Sequence, residues 1–355
     1  MDVERAAAHW KKELYRHLQL LFVVPGLERY WEINSGSAPA KFQIAKRIEA
    51  EIGDSLVDSH RDLKREFLKV WRSKDVSILD ERVAEYSFLN LKVDLLKEML
   101  KDCQFCERRC RVNRYEKVGF CKCSDKSFYS SEFLHFGEEP ELVPSHTIFF
   151  NRCTFSCVFC QNFDIVYSDE KIADPKELGM LIDIRYRQGS RNVNFVGGNP
   201  DQHAHTALET LLHVNSNLPV VWNSNMYHSL ELAEIIEDVV DVWLGDFKYG
   251  NDECGRKYSK ARNYFEIVSR NFLRAKEHGE LLIRHLVMPN HLECCTERIV
   301  KWVSENLGRG VRFNLMFQYW PAFRAREHEE ISRRLNSREM KRAMEIASIY
   351  LDNLV

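Results

Sequence analysis

The chain has 355 residues, 45% of them hydrophobic and 29% charged, so it can bury a sizeable core and lacks the charge-rich signature of disorder. Its formal net charge of −2 gives no global positive field to attract nucleic acid or an anionic membrane. The length exceeds one average domain, which predicts a large unit with a smaller one attached.

The N-terminus reads MDVERAAAHW, without a basic-then-apolar leader pattern, and the apolar run from Leu18 to Val24 stops at Pro25-Gly26. A cytoplasmic chain without a membrane span is expected. Residues 1–102 read as an N-terminal helical region, with apolar residues at helical spacing: Trp10, Leu14, Leu18 and Leu21, then Ala45, Ile48 and Ile52. The pattern continues with Leu63, Phe67 and Val70, then Val93, Leu96 and Leu100. Turn-rich residues 34–39 separate the first two helices. These stripes are read as core.

Residues 103–144 form a connector rich in cysteine. The chain holds 11 cysteines, an odd number, and they cluster as metal ligands do rather than as a disulfide framework. Five fall here as Cys103-x2-Cys106-x3-Cys110-x10-Cys121-x-Cys123, with Gly119 helping the chain turn back. Four thiolates suffice for a tetrahedral zinc or a fully ligated second 4Fe-4S cluster, and spacing does not choose between them. The segment is either an electron relay or substrate anchor, or a structural knot joining the helical region to the C-terminal domain. Arg108, Arg109, Arg111, Arg114 and Lys117 make it basic, so a zinc-binding interaction module that reads nucleic acid is a rival from another class. Cys254, Cys294 and Cys295 have no partner spacing and read as free thiols.

From residue 145 to 355, β-rich apolar runs alternate with helical patterns: HTIFF from 146, NVNFV from 192, LPVVW from 218, VVDVWLGDF from 239, LLIRHLVM from 281 and VRFNLMFQY from 311. Strands alternating with helices predict an α/β domain with a parallel sheet. On pattern alone six strands fit a partial (β/α)6 barrel or an open doubly wound sheet. In both, chemistry belongs at the C-terminal ends of the strands.

The first of these strands runs into Cys153-Thr154-Phe155-Ser156-Cys157-Val158-Phe159-Cys160-Gln161-Asn162. Three thiolates so spaced on a loop can take three corners of a cubane cluster, and without a local fourth ligand one iron keeps an open position. A zinc site with a distant fourth ligand and plain packing thiols are the alternatives. CxxxCxxC with an aromatic before the third cysteine resembles the radical S-adenosylmethionine (radical SAM) superfamily signature. CVFCQN is similar to the pyruvate formate-lyase activating enzymes and their relatives. The resemblance covers roughly residues 103–320 and extends through HFGEEP at 135, DFKY at 246, RHLVMP at 284 and LMFQYWP at 315. Residues 1–102 lie outside it.

The resemblance implies a radical SAM-type partial TIM-like barrel in which Cys153, Cys157 and Cys160 hold a 4Fe-4S cluster. The open iron would chelate S-adenosylmethionine, whose reductive cleavage yields a 5′-deoxyadenosyl radical that abstracts hydrogen from a substrate. Implied partners are a low-potential electron donor of flavodoxin or ferredoxin type and a protein substrate entering through the incomplete barrel. A small metabolite or another peptide is the alternative substrate.

Cofactor contacts are expected from the strand ends. Gly197-Gly198-Asn199 stands where the family has Gly-Gly-Glu, the glycines allowing close backbone approach, with Asn199 departing from the usual Glu. Asn223 and Ser224 end the third strand at ribose height, and Asp246 with Lys248 is similar to the family's Asp-x-Lys, in which the lysine faces the methionine carboxylate. Arg284 points into the barrel toward either a cofactor carboxylate or a buried acid, whereas His285 is read as structural. Asn314, Met316 and Gln318 alternate on one face, and Phe159 packs on the adenine. His203 and His205 are read as satisfied or exposed rather than ligating.

Overall fold

In the computed structural model, residues 25–53, 55–168 and 170–355 are described. The predicted stripe Trp10, Leu14, Leu18 and Leu21 lies outside them. Among the described residues four helices come first: α1 (Glu28–Ser35), α2 (Lys41–Ala45), α3 (Leu56–Ser73) and α4 (Phe88–Lys101). Strands β1 (Phe128–His135), β2 (Ser145–Phe150), β3 (Lys171–Ile172) and β4 (Asn192–Gly197) come next, with α5 (Phe163–Val166) and α6 (Pro175–Arg187) between them. The remainder runs α7 (Ala204–Leu212), β5 (Val220–Ser224), α8 (Leu230–Ile236), β6 (Val242–Asp246), α9 (Asp252–Ser259), α10 (Tyr264–His278) and β7 (Glu280–Leu286). A π-helical turn (Leu292–Glu297) leads into α11 (Arg298–Asn306), and β8 (Arg312–Met316) and α12 (Ser337–Tyr350) complete the chain.

The sheet order is β3-β1-β2-β4-β5-β6-β7-β8. From β2 onward every neighbouring pair is parallel and keeps chain order, so the crossovers all run one way and the sheet curls as a barrel does. A doubly wound sheet would reverse direction at a switch point, and no reversal occurs. The sheet stays open, with β3 and β8 at its edges, which makes the fold a partial TIM-like barrel. All six predicted strands are present. The connector hides a seventh: β1 pairs antiparallel with β2 and with the two-residue β3.

Helices α3 and α4 form where the periodicity placed them, each started by a serine whose hydroxyl accepts from an N3 amide, Ser55 from Asp58 and Ser87 from Asn90. The helix expected through Ala45, Ile48 and Ile52 does not extend past Ala45. Its backbone pairs instead with the start of α4 and the residues just before it, Phe88 N donating to Ile48 O and Ala50 N to Tyr86 O, and Ile52 ends up exposed. Tertiary pairing has overridden helical spacing.

The described part of the N-terminal region shares the barrel's core. Phe42, Ile44, Phe88 and Leu96 belong to the same apolar cluster as Phe195, Leu208 and Ile236. Leu27 and Tyr30 join the barrel's interior residues Val221, Val242, Leu244 and Leu282, plugging the end opposite the strand C-termini. Glu280 accepts from the amides of Arg29 and Tyr30, holding α1 across that opening. Among the described residues no helix is long and apolar enough to cross a membrane.

Candidate active site

Where β2 ends, the chain enters the loop that carries Cys153, Cys157 and Cys160. The loop is braced from α9, with Val158 N donating to Tyr258 O at 2.8 Å and Ser156 N to Ser259 O at 3.2 Å. From the other side Arg108 reaches across, its Nε donating to Thr154 O at 3.0 Å. Arg324 N donates to Val158 O at 2.8 Å, closing the segment after β8 over the loop. These bonds turn all three thiols toward one cavity of about 220 Å³ at the strand C-termini.

Burial raises all three thiol pKa values, reinforced by the Cys157 sulfur at Cys153 and Cys160 and by Asp246 at Cys157, with Cys160 pushed up to about 12 and Cys153 and Cys157 also above the ordinary range. Such thiols become thiolates only against a strong positive charge, the condition a metal centre meets. Small donors already surround them: Phe155 N lies 3.3 Å from Cys153 Sγ, and Ser259 Oγ lies 2.9 Å from Cys157 Sγ.

Phe159, Gly197, Gly198, Asn223, Asp246, Lys248 and Arg284 all line the same cavity. Lys248 Nζ donates to Asp246 Oδ2 at 2.6 Å. Burial opposes the ammonium, yet Asp246 and the neighbouring thiols keep its pKa above the usual lysine value. Phe159 packs edge-on against Tyr319 at 5.8 Å and, with Val196, Leu286 and Met316, gives the cavity an apolar wall.

Two predicted contacts turn away. Adjacent strand residues face opposite sides, so Asn223 and Asn225 enter the cavity whereas Trp222 and Ser224 do not. Ser224 Oγ and Trp222 Nε1 donate to the buried Asp201 carboxylate at 2.8 and 2.9 Å. Asn199 is spent on the protein, its Oδ1 accepting from Asn225 N at 3.0 Å and its Nδ2 donating to Gln202. The glycines also serve another contact than the one expected. A Cβ on Gly197 would lie 2.0 Å from Phe150 O, and one on Gly198 would lie 1.8 Å from Arg152 O. The close approach is between β4 and the start of the thiol loop.

Arg284 finds a buried acid. Its Nε and Nη2 donate to Glu139 at 2.7 and 2.6 Å, Nη2 also meets Glu138, and Asn314 Nδ2 donates to Glu139 at 2.8 Å. Glu138 and Glu139 come from HFGEEP, which spacing did not mark as a charge partner. Met316 lines the cavity beside Asn314's strand face, whereas Gln318 lies exposed beyond the end of β8. His285 is structural, its Nδ1 donating to Phe247 O at 2.8 Å and its Nε2 accepting from Thr296 Oγ1 at 2.9 Å. His203 is buried between Ser127 Oγ and Asn151 O, and His205 Nε2 donates to Asp125 O.

In the upstream group, burial raises the thiol pKa values of Cys103 and Cys106, and the nearby sulfurs of Cys110 and Cys121 add to the rise at both, whereas the Cys123 thiol beside Cys121 holds Cys121 down at about 6. Cys123 is set toward His203, 3.8 Å from its Nε2. Four of the five named basic residues of this segment are paired within the chain. Arg108 holds the thiol loop, Arg109 pairs with Glu107 and Glu231, Arg111 with Asp102, and buried Arg114 donates to Gln202 O and Ser124 O. Arg111 and Lys117 are the exposed members of the five, Arg111 in a surface pair with Asp102.

A family model for the radical SAM superfamily matches residues 147–303. An uncharacterized protein of Methanocaldococcus jannaschii is 48% identical over 340 residues, covering 93% of this chain and 99% of its own. Among solved structures, Streptococcus suis SuiB bound to S-adenosylmethionine gives a TM-score of 0.45 at 14% identity over 56% of this chain and 45% of SuiB. SuiB bound to precursor peptide SuiA gives 0.42 at 16% identity over 57% and 46%. The chain thus spans less than half the length of SuiB.

Proposed function

The chain belongs to the radical SAM superfamily, and we propose that Cys153, Cys157 and Cys160 hold its 4Fe-4S cluster facing a cavity shaped for S-adenosylmethionine. When bound, these two groups supply reductive sulfonium cleavage and hydrogen-atom abstraction from a substrate. The observation that carries the reading is the lining of one cavity by three thiols, an Asp246–Lys248 pair and an apolar wall. Lys248 presents an ammonium to the methionine carboxylate, and Asp246 a carboxylate to the amino group. Asn223 and Asn225 offer amides to the ribose, while Phe159, Val196 and Met316 accept the adenine face. Arg284 has Nε and Nη2 committed to Glu139 and Glu138, so its charge is offset by two carboxylates and Nη1 is its remaining donor toward the cofactor. Cys103, Cys106, Cys110 and Cys121 are assigned to a second metal centre, either zinc or a 4Fe-4S cluster.

The substrate is a protein or peptide segment, as in the activating enzymes. Tyr167, Trp320 and Phe323 support this: they stand exposed beside the thiol loop, with Phe163 stacked on Phe323 at 5.5 Å. Exposed aromatics of this kind mark recognition surfaces.

Anaerobic protein reduced with dithionite, standing in for a low-potential flavodoxin or ferredoxin, should release 5′-deoxyadenosine from S-adenosylmethionine. Changing Cys153, Cys157 or Cys160 to alanine should abolish that release and remove the cluster's iron. Adding the macromolecular fraction of a deuterated cell extract should place deuterium in the released nucleoside. Label arriving only with the small-molecule fraction would move the substrate to a metabolite.

A further inference from the structure

Three cysteines without partner spacing are brought to one place, well away in sequence from both cysteine-rich segments. Cys254 sits in the first turn of α9, where Asn251 Oδ1 caps its amide at 2.8 Å. His291 immediately precedes the π-helical turn that carries Cys294 and Cys295. One donor atom from each of Cys254, His291 and Cys294 lies within 4.8 Å of the other two. Cys254 and His291 are buried and Cys294 is half-buried, leaving an entry side. Cys295 adds a fourth sulfur 3.8 Å from Cys294 Sγ. That separation matches the edge of a tetrahedron of thiolates about 2.3 Å from a central ion.

The surrounding hydrogen bonds leave room for a cation at this point. His291 Nδ1 donates to Pro289 O at 2.7 Å, which fixes the tautomer and leaves the Nε2 lone pair as the ring's ligand. Tyr258 OH lies 3.0 Å from Nε2 but gives its proton to Glu330 Oε1 at 2.5 Å. Nε2 therefore faces oxygen lone pairs, an arrangement that calls for a proton or a metal ion. Asn251 Nδ2 fastens the turn through Cys294 O at 2.9 Å. Gly250 lets the two segments close up, since a Cβ there would lie 2.8 Å from Cys295 Cα.

We propose that Cys254, His291 and Cys294, with Cys295 completing the set, form a zinc-class metal site that fastens the π-helical turn after β7 to α9. Thiolates with one imidazole are the soft, tetrahedral donor set that zinc takes in structural sites. The site matters to the cavity because Tyr258 and Ser259, at the other end of α9, supply the carbonyls on which the thiol loop rests. It is independent of the proposed reaction, since none of its residues lines that cavity.

The test uses full-length, anaerobically purified protein loaded with Zn²⁺, with zinc and iron measured by mass spectrometry and Co²⁺ used as an optical probe. Wild type should carry about one more zinc per chain than Cys254→Ser or His291→Ala, with iron unchanged. Its cobalt form should show a thiolate charge-transfer band that both variants lose. His291→Cys, which keeps a ligand in place, should retain the zinc, so a fold defect in the alanine variant is distinguishable from a lost ligand. Equal zinc in wild type and variants overturns the proposal. So does rapid alkylation of Cys254 near pH 6 that added zinc does not slow, the mark of a thiolate–imidazolium pair instead of a metal site.

Discussion

Inside the barrel mouth a guanidinium meets two carboxylates that lie about 145 positions away in sequence. Arg284 and Glu139 hold one another charged: burial opposes both, and each shifts the other's pKa toward ionisation. Removing one partner of such a pair strands a buried charge. Glu139→Gln should therefore destabilise the protein by about 3 kcal/mol, at the low end for a buried pair because Glu138 remains. Pairing it with Arg284→Met should recover most of the loss, a non-additivity readable in thermal unfolding of the anaerobic protein. No periodicity joins Glu139 to Arg284, so that contact was invisible in the sequence, where HFGEEP served only as part of a resemblance. Ser224 is a different kind of miss. Alternation along β5 already forbade Asn223 and Ser224 from facing one cavity, and the rule was available without a structure.

At the scale of elements, the six parallel strands were legible because apolar β-rich runs and helical patterns have different periods. Their barrel-like order was not, since pattern carries no information about which strands are neighbours. The antiparallel β1 was missed because it is half-exposed along its length and has no clean alternation. The join between β4 and the thiol loop shows what the two glycines do. The nearest backbone atom to a Cβ on Gly198 stands at 1.8 Å, far inside any real contact, and it belongs to Arg152, next to Cys153. Gly198→Ala should displace the loop and cut cluster iron by more than half. Gly310→Ala is the comparison, since nothing lies within 4 Å of its Cβ and iron should match wild type. Equal iron in the two variants would show that the loop tolerates the shift.

Across the whole molecule, buried imidazoles are held neutral in places remote from one another. His60 lies under α4, where its Nε2 accepts from Lys92 Nζ at 2.8 Å; burial, reinforced by that ammonium, takes its pKa down to about 2. His285 lies between β6 and the π-helical turn, where burial takes its pKa down to about 4 despite the bond to Phe247 O. In the unfolded chain both titrate near 6.5. Below that value the unfolded state binds protons that the folded state refuses, so stability is complete above about pH 6.5 and falls as pH drops toward 4. Each such histidine contributes a slope of about 1.4 kcal/mol per pH unit in that window. His60→Gln keeps an acceptor for Lys92 without a titrating ring, and should make denaturant-derived stability between pH 6 and 5 shallower by about that amount. An unchanged slope would mean that His60 already carries a proton in the folded protein, taken from Lys92 across their 2.8 Å bond, with Lys92 left as a neutral amine.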